Sequence, residues 1–76
     1  MTDIKCSAWH AGPFGVHAIF DTLEDAERVR DAQPLDEAVG LTRDFYRLED
    51  HGDGFEVRIH AKMLKHYTSD PMALDI

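Results

Sequence analysis

The stretch RDFYRLEDHGDGFEVRIHAKML, residues 43–64, carries the clearest local pattern in the chain. Apolar residues occupy every second position from Phe55 to Ala61, and charged or polar residues lie between them. This period of two is typical of a β-strand that buries one face. Because the turn-forming residues HGDG precede that strand, and DFYRL precedes the turn, the stretch predicts a β-hairpin.

A second hairpin is predicted near the N-terminus. The segment DIKCSAW alternates apolar and polar residues from Ile4 to Trp9, and FGVHAIF alternates again up to Phe20. The glycines and the proline of AGPFG, residues 11–15, separate the two segments and favour a turn. We therefore expect two strands that pair with each other.

Between the two hairpins, the segment DTLEDAERVRDAQPLDE predicts a helix. Apolar residues recur at helical spacing from Leu23 to Val29, and Asp21 or Thr22 supplies the N-cap. Pro34 disfavours a helical conformation in the residue before it, so the helix is expected to end there. A further short turn is expected in LDEAVGLT, before Gly40.

The predicted order of elements is therefore strand, strand, helix, strand, strand. This order favours an α+β fold in which one helix packs on one face of a four-stranded, largely antiparallel sheet. We expect one small domain over residues 1–76, with residues 67–76 as an extended tail. The predicted core consists of Phe14, Phe20, Leu23, Val29, Phe55, Val57 and Ile59. The opposite face of the sheet is expected to carry Trp9, His17, Ile19, Arg58 and His60.

The composition of the chain indicates the cellular compartment in which the protein is expected. The chain has 76 residues and a single cysteine, Cys6, so no internal disulfide is possible and a reducing compartment is expected. No apolar run approaches the roughly 18 residues of a membrane span, and the N-terminus lacks the pattern of a secretory signal. We therefore expect a cytoplasmic protein with no membrane partner.

Five histidines raise the question of a metal site. Structural zinc sites use four cysteine or histidine ligands, usually as close pairs along the chain. His10 and His17 have no second pair at such a spacing, and Cys6 lies on the predicted apolar face, where a thiol is inert. The glycines match neither a P-loop nor a dinucleotide-binding motif. The sequence therefore predicts no metal, no cofactor, no hydrolytic activity and no enzyme.

The acidic residues are unevenly distributed. The formal net charge is −7, and residues 21–37 contain seven carboxylates against two arginines. A second acidic segment spans residues 44–56, whereas residues 58–66 contain three basic residues and no acid. Like charges at i,i+3 and i,i+4 on a helix are mildly destabilising. We therefore expect the acidic surface to bind a partner, although solubility alone is the simpler explanation of the charge.

The proposed partner is a basic, DNA-binding protein surface, because neighbouring carboxylates can replace the phosphates of DNA. Direct binding of nucleic acid is not expected, because the net charge of the chain is negative. In its acidity and in the segments DTLEDAERVRDAQPLDE and LEDHGDG, the chain resembles the small phage-encoded inhibitors called anti-CRISPR proteins. That resemblance implies inhibition of a CRISPR effector complex in a bacterial host by mimicry of DNA. The charge pattern assigns partner binding to Glu24, Asp25, Glu27, Asp31, Asp36, Glu37, Glu49, Asp50 and Asp53.

The alternative function is that of a small interaction module. In this interpretation the uncovered sheet face around Trp9 and Ile19 forms a homodimer interface or a docking surface. Monomer and homodimer both remain open at this point. A dimer that dissociates when Trp9 is replaced by alanine would favour this alternative.

Overall fold

A computed structural model describes residues 4–13 and 15–69. The regular elements are β1 (Ala8–Gly12), β2 (Gly15–Phe20), α1 (Leu23–Asp31), β3 (Leu48–Asp50) and β4 (Phe55–Ile59). Two 3-10 helices cover Glu37–Val39 and Ala61–His66. The four strands form one antiparallel sheet in the order β1-β2-β4-β3, which confirms the predicted α+β fold. None of the helices in the described ranges has the length and apolar character needed to cross a bilayer.

The core lies between the sheet and the layer formed by α1 and the second 3-10 helix. On β2 and β4 alternate residues are buried, as the period of two predicts. Val57 is fully buried, and its neighbours across the sheet, Ala18 and Leu48, share its face. The fully or almost fully buried apolar residues are Val16, Ala18, Phe20, Ala26, Val29, Tyr46, Val57, Ile59, Leu64 and Tyr67.

α1 begins as the sequence predicts. Thr22 is the N-cap in an extended conformation, and its side-chain oxygen accepts a hydrogen bond from the backbone N–H of Asp25. The helix ends at Asp31, with Ala32 as the C-cap, two residues before Pro34. The expected short turn is the first 3-10 helix, which Gly40 ends in the left-handed conformation that glycine adopts without strain.

The first hairpin differs from the prediction in its register. β1 runs from Ala8 to Gly12 rather than from residue 3 to 9, and Gly12 pairs with Gly15, which has a positive φ of 124°. Trp9 therefore pairs with Ala18 and lies on the core side of the sheet, half-buried against the core. The prediction that Trp9 lies on the uncovered face is wrong, because a shift of one residue moves a side chain to the other face.

Other core assignments also need correction. Leu23 is 46 % exposed at the first position of α1, and Phe55 is only half-buried at the start of β4. β3 starts at Leu48, whereas the prediction placed DFYRL in the strand; Tyr46 instead belongs to a turn and is buried. Phe14 lies outside the described residues.

The segment that follows β4 contributes to the core. Leu64 of the second 3-10 helix is buried, and so is Tyr67, the first residue of the predicted tail. The Tyr67 carbonyl accepts a hydrogen bond from the Cys6 N–H, and the Tyr67 ring packs edge-on against Phe20. The rest of the predicted tail, beyond Ser69, lies outside the described residues. His60 follows the end of β4, and its side chain caps the second 3-10 helix by accepting a hydrogen bond from the Lys62 N–H.

Gln33 connects α1 to the second 3-10 helix and is the buried polar side chain of the core. Its amide nitrogen donates to the Val29 carbonyl at 2.9 Å and lies 3.5 Å from the Tyr67 hydroxyl. Its amide oxygen accepts from the His60 N–H at 2.9 Å. One side chain therefore satisfies polar groups on both segments that cover the sheet.

We expect Val57→Asp to unfold the protein. The side chain is fully buried at the centre of the sheet, and burying an unpaired charge there costs several kcal/mol, against a total stability of about 5–15 kcal/mol. Circular dichroism during thermal unfolding measures this effect. A cooperative transition near that of the parent protein would contradict the strand register.

We expect Gln33→Leu to lower the free energy of unfolding by about 1–3 kcal/mol, because the His60 N–H loses its acceptor. Urea unfolding measures the change. Leu35→Ala is the matched control, since Leu35 is 60 % exposed and its truncation should change stability by less than about 0.5 kcal/mol. Equal effects of the two substitutions would show that Gln33 does not connect the two segments.

Candidate functional site

The exposed carboxylates of α1 are largely paired with arginines. The contacts join Glu24 to Arg28 at 2.8 Å, Glu27 to Arg30 at 3.9 Å, and Asp31 to Arg43 at 3.0 Å. Exposed pairs of this kind contribute little to stability, but they reduce the negative charge that a partner would meet. Glu24, Glu27 and Asp31, three of the predicted partner-binding residues, are therefore each in contact with an arginine of this chain.

The remaining predicted partner-binding residues differ in their surroundings. Asp25 is half-buried, so its carboxylate is less accessible to a partner than that of Glu24, which is exposed. Asp36 and Asp50 accept hydrogen bonds from the backbone N–H groups of Ala38 and Gly52, and these bonds hold the local turns. Glu37 and Asp53 are exposed and have no ion pair among the described residues. Glu49 is also exposed, and it contacts Arg47 and His51.

The fold brings some of these acids to one end of the sheet. Phe20, the last residue of β2, pairs with Phe55, the first residue of β4. The connection from β2 to α1 therefore lies at the same end as the β3–β4 turn. This places Asp21 at the same end as Asp50 and Asp53. Glu49 is not part of that group, because it lies on the sheet face opposite to α1.

The lysines lie on the other side of the molecule. α1 packs mainly on β4 and also contacts β2 and β3, whereas the second 3-10 helix packs on β2. Lys62 and Lys65 belong to that 3-10 helix, and Lys5 lies beside it, with Nζ 3.5 Å from the His66 carbonyl oxygen. The edge of the fold at β3 therefore carries the acidic β3–β4 turn, and the half towards β1 carries the exposed lysines.

A shallow cleft of about 610 Å³ interrupts the acidic half. Three arginines that belong to the ion pairs above line it, and its remaining walls are an acid, a tyrosine and a leucine. The lining residues are Arg30, Arg43, Asp44, Tyr46, Arg47 and Leu48. The acidic surface is therefore discontinuous, with guanidinium groups between the helix carboxylates and those of β3.

The sheet face opposite to α1 carries an array of imidazoles and carboxylates. His10 pairs with His17 across β1 and β2, and their rings stack with centroids 5.0 Å apart. His17 Nδ1 lies 3.1 Å from one oxygen of Glu56. The other oxygen of Glu56 lies 3.5 Å from His51 Nε2, which in turn lies 3.8 Å from Glu49.

This array contains two sets of possible metal ligands that share Glu56. In the first set, His10 and His17 join Glu56; in the second, Glu49 and His51 join it, and the donor atoms of each set lie within 4.8 Å of one another. The sequence excluded a zinc site because His10 and His17 have no second pair of cysteine or histidine ligands at a suitable spacing. In the fold, a carboxylate from another strand, Glu56 of β4, takes the place of that second pair, and only the register of the sheet could have indicated it.

Arg58 occupies the same face, as predicted. Its guanidinium lies 5.2 Å from the centre of the Phe45 ring, within range of a cation–π interaction. Its Nε is buried and has no hydrogen-bond partner among the described residues. His17 and Ile19 also lie on this face, as predicted, and both are half-buried.

Cys6 is poorly suited to act as a nucleophile. It precedes β1, packs against the core and is half-buried, in agreement with its predicted apolar placement. Burial raises the pKa of the Cys6 thiol above its usual value. Because the thiolate is the reactive species, a raised pKa lowers the reactive fraction at neutral pH.

We therefore expect iodoacetamide to alkylate Cys6 several-fold more slowly in the folded protein than in urea at about pH 8. Because burial raises the pKa of the Cys6 thiol in the folded state, the protonated thiol favours folding at any pH below the unfolded pKa. This contribution to stability is lost as the pH rises through the folded pKa. Mass spectrometry of quenched samples measures the rates, with free glutathione as the reference thiol. Equal rates with and without urea would contradict this interpretation of Cys6.

Comparisons with known proteins identify no relative. No protein-family model, no curated protein and no solved structure matches the chain.

Proposed function

We propose that this protein is a non-enzymatic inhibitor that places its acidic half in the DNA-binding site of a larger complex. The CRISPR effector of a bacterial host is the specific partner proposed. The observation that supports this proposal is the separation of charge across the fold. The acidic β3–β4 turn lies at the β3 edge, and Lys5, Lys62 and Lys65 lie towards β1.

A groove that binds DNA displays lysines and arginines spaced to meet phosphates. Exposed carboxylates can occupy the same positions and displace the same bound anions. Attraction between exposed charges is screened over about 10 Å at 0.1 M salt, so such a complex should weaken as salt is added. The lysines on the opposite half would stay outside the groove.

The ion pairs within the fold favour some carboxylates over others as proposed contacts with the partner. Glu24, Glu27 and Asp31 already interact with arginines of this chain, and a partner would have to compete with those pairs. Exposed acids without an ion pair among the described residues are better placed. Asp53 of the β3–β4 turn belongs to this group, and Asp21 and Glu37 are exposed acids of the same kind in other connections.

The alternative, a module acting through the uncovered sheet face, loses its proposed anchor, because Trp9 lies on the core side. What remains on that face is chiefly polar, with His10, His17 and Glu56 around Ile19. Because homodimer interfaces are more apolar than the rest of a protein surface, this polar face is poorly suited to a homodimer. The acidic half is therefore the better candidate for a macromolecular partner.

The test is competition on a panel of purified CRISPR effector complexes with labelled target DNA. We expect the protein to displace DNA from at least one complex, and the apparent affinity to fall about tenfold or more between about 50 and 200 mM salt. The triple variant Asp21→Asn/Glu37→Gln/Asp53→Asn should inhibit at least about tenfold less well, because three exposed charges are removed.

The matched control is Lys5→Gln/Lys62→Gln/Lys65→Gln, which removes three exposed charges from the other half and should change inhibition less than about threefold. Thermal unfolding verifies that both triple variants fold. Simultaneous saturating binding of DNA and this protein would exclude the mimic. Equal losses in the two triple variants would show that the acidic half has no special role.

A further inference from the structure

His10, His17 and Glu56 of the imidazole–carboxylate array are not among the residues assigned to the proposed inhibition. Its central members come from three adjacent strands: His10 from β1, His17 from β2 and Glu56 from β4. Antiparallel pairing alone places His10 opposite His17. Glu56 pairs with Ile19, two residues beyond His17 on the same face, and this diagonal spacing is within reach of a long side chain.

His17 and Glu56 are in contact and largely buried, whereas His10 is exposed and can change its orientation. The side chains of His17 and Glu56 are 17 % and 19 % exposed, and their polar atoms lie 3.1 Å apart. His10 is exposed and stacks on His17 with an angle of 11° between the ring planes. Because the His10 side chain is exposed, its rotation can bring a ring nitrogen towards the other two donors.

We propose that His10, His17 and Glu56 bind one Zn²⁺ ion or a similar divalent transition metal. Two imidazoles and one carboxylate form a ligand set suited to borderline metals, and water completes the tetrahedral coordination. Ideal zinc bonds of about 2.0–2.2 Å place neighbouring donors about 3.3 Å apart. The donors here lie within 4.8 Å of one another, so adjustments on the order of 1 Å complete the site.

The second set, Glu49, His51 and Glu56, is the weaker candidate for such a metal. It offers one imidazole instead of two, and the His51 and Glu49 side chains are each nearly half exposed. His51 lies 3.5 Å from the Glu56 oxygen that does not contact His17. In the proposed site His51 therefore orients the carboxylate from outside the ligand set.

The consequence for the fold is a cross-link between strands that are distant in sequence. His10 and His17 belong to the first hairpin, whereas Glu56 belongs to the second. An ion that binds only the folded state raises its stability by mass action. The site is independent of the acidic half, so the failure of one proposal leaves the other standing.

The test is isothermal titration of the untagged, EDTA-treated and dialysed full chain with ZnCl₂. We expect saturable binding of one ion per chain, no comparable binding of Mg²⁺, and a melting temperature that rises by about 10 °C at 100-fold excess over the dissociation constant. Titration with Co²⁺ should give visible bands without the charge-transfer absorption of a thiolate ligand, since Cys6 is not in the site. Absence of saturable Zn²⁺ binding would overturn the proposal.

Variants locate the ion. His10→Gln/His17→Gln should weaken binding by more than about tenfold, and the matched control His66→Gln, which changes an exposed histidine outside the array, should not. His51→Gln should weaken binding less than the double variant. Binding that survives in the double variant, or an equal loss in His51→Gln, would overturn the assignment.

A measurement on the unmodified protein covers the case in which the double variant does not fold. In ¹H–¹³C spectra of the imidazoles, Zn²⁺ should shift the signals of His10 and His17 and leave those of His66 in place. Shifts spread evenly over all the histidines would contradict a single site.

Discussion

The pairing of β2 with β4 is the constraint on which the rest of the fold depends. β2 and β4 are the two central strands: Ala18 lies between Trp9 of β1 and Val57 of β4, and Val57 lies between Ala18 and Leu48 of β3. Through this pairing, two hairpins that are separated in the sequence become one sheet with a single buried face. The same pairing sets the diagonal between His17 and Glu56 and places the acidic β3–β4 turn beside the start of α1.

The ion pairs change which part of the molecule presents unpaired negative charge. Counted along the chain, residues 21–37 are strongly acidic. In the fold, Arg43 reaches back to Asp31, and the helix carries two further pairs of its own. The negative character of the surface therefore resides less in the helix than in the connections around it, where Asp21, Glu37 and Asp53 are exposed.

The sequence predicts the parts of this structure that depend on interactions between residues close to each other along the chain. The alternation in Phe55–Ile59 and the cap at Thr22 are local signals, and both are confirmed. The register of β1 is not local, because it depends on which residue faces Ala18, and the placement of Trp9 failed for that reason. Tyr46 and Tyr67 lie in segments without strand or helix periodicity, so their burial could not be predicted from patterns.

The same limits apply to the candidate sites. The charge clusters could be predicted because charge is a property of composition, whereas pairing with arginines depends on side chains brought together by turns. The stacking of His10 on His17 required the register of the hairpin, and the approach of Glu56 required the β2–β4 pairing. Chemistry that spans three strands is therefore the part of this protein that sequence patterns describe least.

The topology also has a kinetic consequence. Each hairpin joins neighbours in the sequence, so both can form early, but residues 21–54 separate the paired residues Phe20 and Phe55. The entropy of closing that loop is lost before any contact across β2 and β4 compensates for it. Helix α1, which lies inside the loop, shortens the distance that the chain must span. The docking of one preformed hairpin on the other is thus the step expected to set the folding rate of this small domain.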